Sequence, residues 1–252
     1  MAARLLALAG LAALAAAGLG TVFLHTSSPG DEGPGTQATA VRPPPDRGHR
    51  SGGPRRDSRQ AVSRAPARPE GCTDRRIRWR SSVPIGLPEA GRLERGVKLP
   101  AEGRHYFSWD PILKRQPNRG WRRWGTDGLV RTTLGVFREF ARAHPGAPRI
   151  GVGDLSRPHG GDFGPRYGYP GHASHQNGLD VDVYYPLRSG AERAPLSVDE
   201  VNLRLSQDLV DRFVDAGAVK VFVGPSTGLT GPPGIVQAIP YHDNHLHVRV
   251  SG

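Results

Sequence analysis

Residues 171–186 read GHASHQNGLDVDVYYP, and residues 241–250 read YHDNHLHVRV. In the first stretch Leu179, Val181 and Val183 alternate with Asp180, Asp182 and Tyr184, the period of a half-buried strand with its carboxylates on the polar face. In the second, His245, His247 and Arg249 share one face of a strand, and Leu246, Val248 and Val250 turn the other way into a core. Two imidazoles then stand roughly 7 Å apart along the strand. That spacing suits one metal ligand beside one catalytic base, and equally two ligands to one ion. His175 precedes the first strand across a bend at Gly178. A turn there lets His175 and Asp182 converge, because glycine accepts the backbone angles a tight turn demands.

Two histidines and one aspartate leave the fourth position of a tetrahedral zinc site open, the layout of a catalytic centre. Zinc in such a site brings the pKa of water down and polarises a carbonyl. Other chemistries lack their residues. The one cysteine, Cys72, lies in a low-complexity stretch, which excludes an internal disulfide and a cysteine-based zinc site. There is no G-x-S-x-G elbow for a serine nucleophile and no HExxH helix.

Outward from these strands the pattern turns helical. Val130, Leu134, Phe137 and Ala141 recur at helical spacing between a capping Thr126 and the stop Pro145-Gly146, predicting a helix over 126–144. Ser197 and Glu200 have the spacing of a capping box, predicting a second helix over 197–216 that ends at Gly217. Its buried stripe would be Val201, Leu205, Leu209 and Phe213. Short strands are expected at 149–155 and 219–223. Strands and helices mix without a regular βαβ repeat, so the class is α+β.

The N-terminal third differs. After Arg4 the chain runs uncharged from Leu5 to Leu24, so residues 1–25 read as an export signal or a membrane anchor, either of which places the rest outside the cytoplasm. Residues 26–81 are rich in Pro, Gly and Arg and poor in large apolar residues, the composition of a disordered linker. Twelve Arg against six Asp and Glu between His25 and Ser82 carry over half of the chain's net +11. Such a linker suits anionic wall polymers or a membrane surface. Nucleic acid is not expected as a partner, since no nucleic-acid fold signature accompanies the charge. Residues 82–252, about 170 residues, suffice for a single domain with a full core.

From Ser82 to Gly252 the chain resembles the penicillin-insensitive murein endopeptidases, of the superfamily of lysostaphin-like, D-Ala-D-Ala and hedgehog-like zinc metallopeptidases. The resemblance rests on SVPIGLPEAGRLERGVKLP (82–100), GVGDLSRPHGG (151–161), HASHQNGLDVDV (172–183) and HDNHLHVRV (242–250). It implies a compact α+β domain around an antiparallel sheet, and hydrolysis of D-alanyl-diaminopimelyl cross-links between the stem peptides of peptidoglycan. It implies His175, Asp182 and His247 as zinc ligands, His245 and His242 as catalytic residues, and His172 as a further site histidine, either binding the metal or supporting a ligand. The family's additional zinc site finds no matching histidine between Tyr184 and Tyr241, so one ion is expected. Arg157 stands where the D-Ala-D-Ala peptidases often carry an arginine that grips a substrate carboxylate. A carboxypeptidase on the same scaffold and a non-catalytic wall-binding domain are therefore the alternatives to an endopeptidase.

Overall fold

The computed structural model describes residues 77–169 and 171–252. The segment 1–25 and nearly all of the linker 26–81 lie outside the described residues. Among the described residues no helix is long and apolar enough to cross a membrane. Ile77 is buried in the core and Trp79 packs against it, ahead of Ser82.

In chain order the elements are β1 (Val83–Leu87), β2 (Ala90–Glu94), β3 (Val97–Lys98), β4 (Tyr106–Ser108), β5 (Trp124–Gly125), α1 (Asp127–Ala143), β6 (Ile150–Val152), β7 (Asp180–Tyr184), α2 (Leu203–Asp215), β8 (Ala218–Val223), β9 (Val236–Ala238) and β10 (His245–Val250). The class is α+β. Six strands form the main sheet in the order β4-β6-β7-β10-β8-β9. Its central pairings are antiparallel, and the outer pairs β4–β6 and β8–β9 are parallel. The β1–β2 hairpin and the β3–β5 pair stand apart from it.

Antiparallel register sets Val183 opposite Leu246 and Val181 opposite Val248. These four side chains are fully buried in one core with the apolar faces of α1 and α2. The other face of the same strands carries Asp182 opposite His247 and Asp180 opposite Arg249. Every residue of β7 is buried, so this strand is covered on both faces and is not half-buried. The cover on the polar side comes from the loop between β6 and β7, which brings the fully buried Leu155, Phe163 and His175. The bend at Gly178 adopts φ +79, and an added Cβ there would lie 2.9 Å from Leu93 of β2. Gly160, at φ +66, lies so close to Gln176 that a Cβ would meet its carbonyl at 2.0 Å. The hairpin thus braces the loop, with Gln176 N donating to Pro88 O.

Helix α1 begins as its sequence predicts, with Thr126 Oγ1 accepting from Leu129 N at 3.1 Å. Helix α2 does not. Ser197 makes no side-chain cap, and residues Val198–Glu200 close a short 3-10 turn. The Glu200 carboxylate is taken by Arg193 and by Leu196 N instead. Val201 then runs extended to bridge Leu187, and the helix starts afresh with Asn202 Oδ1 accepting from Leu205 N. Of the expected stripe, Leu205, Leu209 and Phe213 lie on the helix, while Val201 is buried from the segment before it.

Two variants test this boundary by thermal unfolding. Asn202→Ala removes a cap and should cost about 1 kcal/mol. Ser197→Ala should leave the transition temperature within error of the parent; the reverse ranking would place the cap at Ser197.

Candidate metal centre

Asp182 is the point on which the polar face converges. Its Oδ1 lies 3.3 Å from His175 Nε2, 3.3 Å from His247 Nδ1 and 3.7 Å from His245 Nε2. Its Oδ2 lies 3.8 Å from His172 Nδ1. His172, His175 and Asp182 offer ligand atoms that all fall within 4.8 Å of one another.

Each imidazole is oriented by a hydrogen bond from its other nitrogen. His175 Nδ1 faces the carbonyl of Leu155, His242 Nδ1 that of Pro240, and His245 Nδ1 the amide oxygen of Asn244. His172 Nε2 faces Asp154 at 2.8 Å, and His247 Nε2 faces Asp180 at 3.1 Å. All five partners are oxygens that only accept, so these nitrogens carry the protons. In the neutral rings the opposite nitrogens are left as lone pairs. A ligating histidine is held in this way when its second nitrogen is tied to a carbonyl or carboxylate.

The electrostatics sharpen the picture. Burial pushes the His175 imidazole down, and it pushes His245 down to about 4, so both rings are neutral at pH 7. Burial opposes the charge on Asp182, but the surrounding imidazoles outweigh it and hold the carboxyl well below its ordinary range. His175 Nε2 and Asp182 Oδ1 are both buried without a hydrogen-bond partner. A lone pair and a carboxylate oxygen, 3.3 Å apart and shielded from water, repel each other unless a cation sits between them. A tetrahedral ion with bonds of roughly 2.0–2.1 Å separates its ligand atoms by about 3.3 Å. The donor set therefore fits a metal. His247 differs, because burial is outweighed by its hydrogen bond to Asp180 and by the nearby negative charge of Asp182, which lift it to about 9. At its Nδ1, a proton and a cation compete for one place.

Two buried carboxylates that were given no role from sequence hold this arrangement. Asp180, fully buried, faces His247, accepts Arg249 Nε at 2.6 Å and accepts the backbone N of His175 at 3.0 Å. The last bond supports His175 at φ +67, a left-handed conformation uncommon outside glycine. Asp154, also fully buried, accepts a two-pronged pair from Arg122, a bond from Asn118 and the ring of His172. Burial raises its pKa, but these partners outweigh burial and hold it at about 2. Arg122 completes the brace by donating to Tyr167 O and stacking on Trp121 and Phe163.

His242 stacks beside His245 with ring centroids 4.9 Å apart. Arg157 makes no hydrogen bond to the cluster among the described residues. Its Nη1 donates to Asp162 O at 2.8 Å and its guanidinium lies 4.4 Å over the Tyr167 ring.

Residues 84–221 match the family described as penicillin-insensitive murein endopeptidase. The chain belongs to that family. No curated protein matches it. As a murein endopeptidase the protein is a peptidase acting on peptidoglycan, an activity exercised outside the cytoplasm. The family match ends at Val221, so His242, His245 and His247 lie beyond it, and the β7–β10 register is what sets His247 against Asp182.

Asp154→Ala would strand the buried Arg122 guanidinium without its counter-charge. Urea unfolding should show a loss of about 3–5 kcal/mol, and a loss below 1 kcal/mol would mean that Arg122 finds another partner.

Proposed function

We propose that the protein is a zinc-dependent DD-endopeptidase that cuts D-alanyl-diaminopimelyl cross-links in peptidoglycan, with one zinc held by His175, Asp182 and His247. One observation carries the reading, the pair of unpartnered buried acceptors His175 Nε2 and Asp182 Oδ1 with His247 Nδ1 beside them. Imidazole and carboxylate together suit zinc. When bound, the ion supplies Lewis acidity to the scissile carbonyl and lowers the pKa of water.

The rest falls to the side chains. His245, neutral and with Nε2 turned inward, takes the proton of the attacking water, and later returns it to the leaving amine. His242, also pushed down by burial, lies beside it as the relief base. His172, tied to Asp154, lies beside His175 with its Nδ1 3.8 Å from Asp182 Oδ2, and supports that carboxylate. Arg157 has a carbonyl and a ring for partners but no carboxylate among the described residues, which leaves its fork for a carboxylate of the stem peptide.

Substitutions separate these roles. His175→Ala, Asp182→Ala and His247→Ala should each lose zinc and activity together, measured by metal analysis and by mass spectrometry of muropeptide products. His245→Ala should keep its zinc while turnover falls about 10²–10⁴-fold. Stoichiometric zinc in one of the first three would strike that residue from the ligand set, and a metal-free His245→Ala would add His245 to it.

The pH dependence follows from His247. Below about 9 its Nδ1 is protonated before metal arrives, so binding must expel that proton. Apparent zinc affinity should therefore fall about tenfold for each pH unit below 9 and level off above it. Chelator competition between pH 6 and 10 measures the slope. A flat profile would remove His247 from the site.

A further inference from the structure

The sequence Trp121-Arg122-Arg123-Trp124 sends its two arginines to different places. Arg122 turns to Asp154 and the histidine cluster. Arg123 turns instead to a cavity of about 490 Å³ lined by Arg78, Arg80, Lys98, Arg123 and Trp124 together with Gly96, Pro100 and Ala101. The cavity shares no residue with the histidine cluster. Four of its lining side chains are cationic and none is acidic.

Arg123 is the unusual member. It is 7% exposed, yet its acceptors are the carbonyls of Asn118 and Leu99, with no carboxylate among the described residues. Burial pushes its pKa down, as a desolvated cation without a counter-charge requires. The third guanidinium nitrogen, Nη2, makes no protein hydrogen bond among the described residues. A Cβ placed on Gly120 would lie 3.6 Å from that Nη2 and 2.9 Å from Lys98 Nζ. Two cationic nitrogens thus approach one point above a residue that has no side chain to fill it. Arg78 and Arg80, both exposed, add charge at the rim. The Trp124 ring, with Lys98 Nζ 5.8 Å from its centre, provides an apolar wall.

We propose that this cavity is an anion-binding site, separate from the metal centre, that takes a phosphate group carried on a small organic unit. Phosphate suits the donors better than carboxylate does. Its terminal oxygens, two on a diester and three on a monoester, point in different directions and can engage an arginine fork and an ammonium at once. A space of this size also exceeds what a bare ion needs and falls within the range of small-ligand sites. The phosphate can belong to a wall polymer or to a lipid headgroup, and the shared chemistry is the same.

The test uses the full chain, loaded with zinc, at constant ionic strength. Glycerol phosphate is titrated by calorimetry, with acetate and glycerol as controls. One saturable site is expected for glycerol phosphate and none for the controls. Lys98→Gln with Arg80→Gln, two exposed positions, should weaken binding about tenfold or more, with soluble muropeptide hydrolysis unchanged. Gly120→Ala, which fills the point between the two cations, should weaken it as well. The proposal is overturned if no saturable binding appears, if acetate binds equally, or if the double variant binds as the parent does. It is overturned too if His175→Ala abolishes the binding, since the anion would then sit on the metal centre. Sedimentation with walls before and after phosphate extraction, and with phosphatidylglycerol vesicles, identifies which source of phosphate the site serves. Loss of hydrolysis with phosphate binding intact would count against the peptidase reading alone.

Discussion

The pairing of β7 with β10 is the constraint from which the rest follows. Side chains on a strand change face with every residue, so a slip of one residue would turn His247 into the core and bring Leu246 to the metal side. The apolar face forbids that slip. Exposing Leu246, Val248 and Val250 would cost roughly 5–9 kcal/mol, comparable to the whole stability margin of about 5–15 kcal/mol of a typical domain. The hydrophobic half of the strand thus fixes the position of the chemical half. A site made of residues 60 and more positions apart in the chain needs no more elaborate device.

Once the strands are in register, the remaining task is to aim lone pairs. Five imidazoles would be free to turn if nothing held them. Carbonyls, an amide and two buried aspartates take one nitrogen of each, so the opposite nitrogen has a fixed direction. The two aspartates are costly to bury and are retained by several donors each, which is why Arg122 and Arg249 belong to the site although neither touches Asp182. Even the strained backbone of His175 is explained by this economy of position, because Asp180 holds its amide while the Leu155 carbonyl holds its ring.

Much of this was legible in the sequence, for physical reasons that differ by element. Alternation identified both central strands because apolar and polar residues change places at every step, and the bend at Gly178 was legible because it needed the angle that glycine permits. The cap of α2 differs from its sequence pattern: Ser197 and Glu200 have the spacing of a capping box, but Arg193 takes the Glu200 carboxylate across a contact that spacing does not reveal. The burial of β7 on both faces depends on a loop folding back over it, which no periodicity records. Asp180 was placed on the polar face without a task, and the pairing of Arg122 with Asp154 spans 32 positions with no local signature.

The order of strands in the sheet has a consequence in time. β10 is inserted between β7 and β8, although it follows both in the chain. A polypeptide that emerges amino end first presents both neighbours of β10 before β10 itself. Until β10 takes its place between them, Asp182 has no His247 opposite it and no His245 nearby. The site therefore cannot be complete before β10 has paired with β7, however early the rest of the sheet forms.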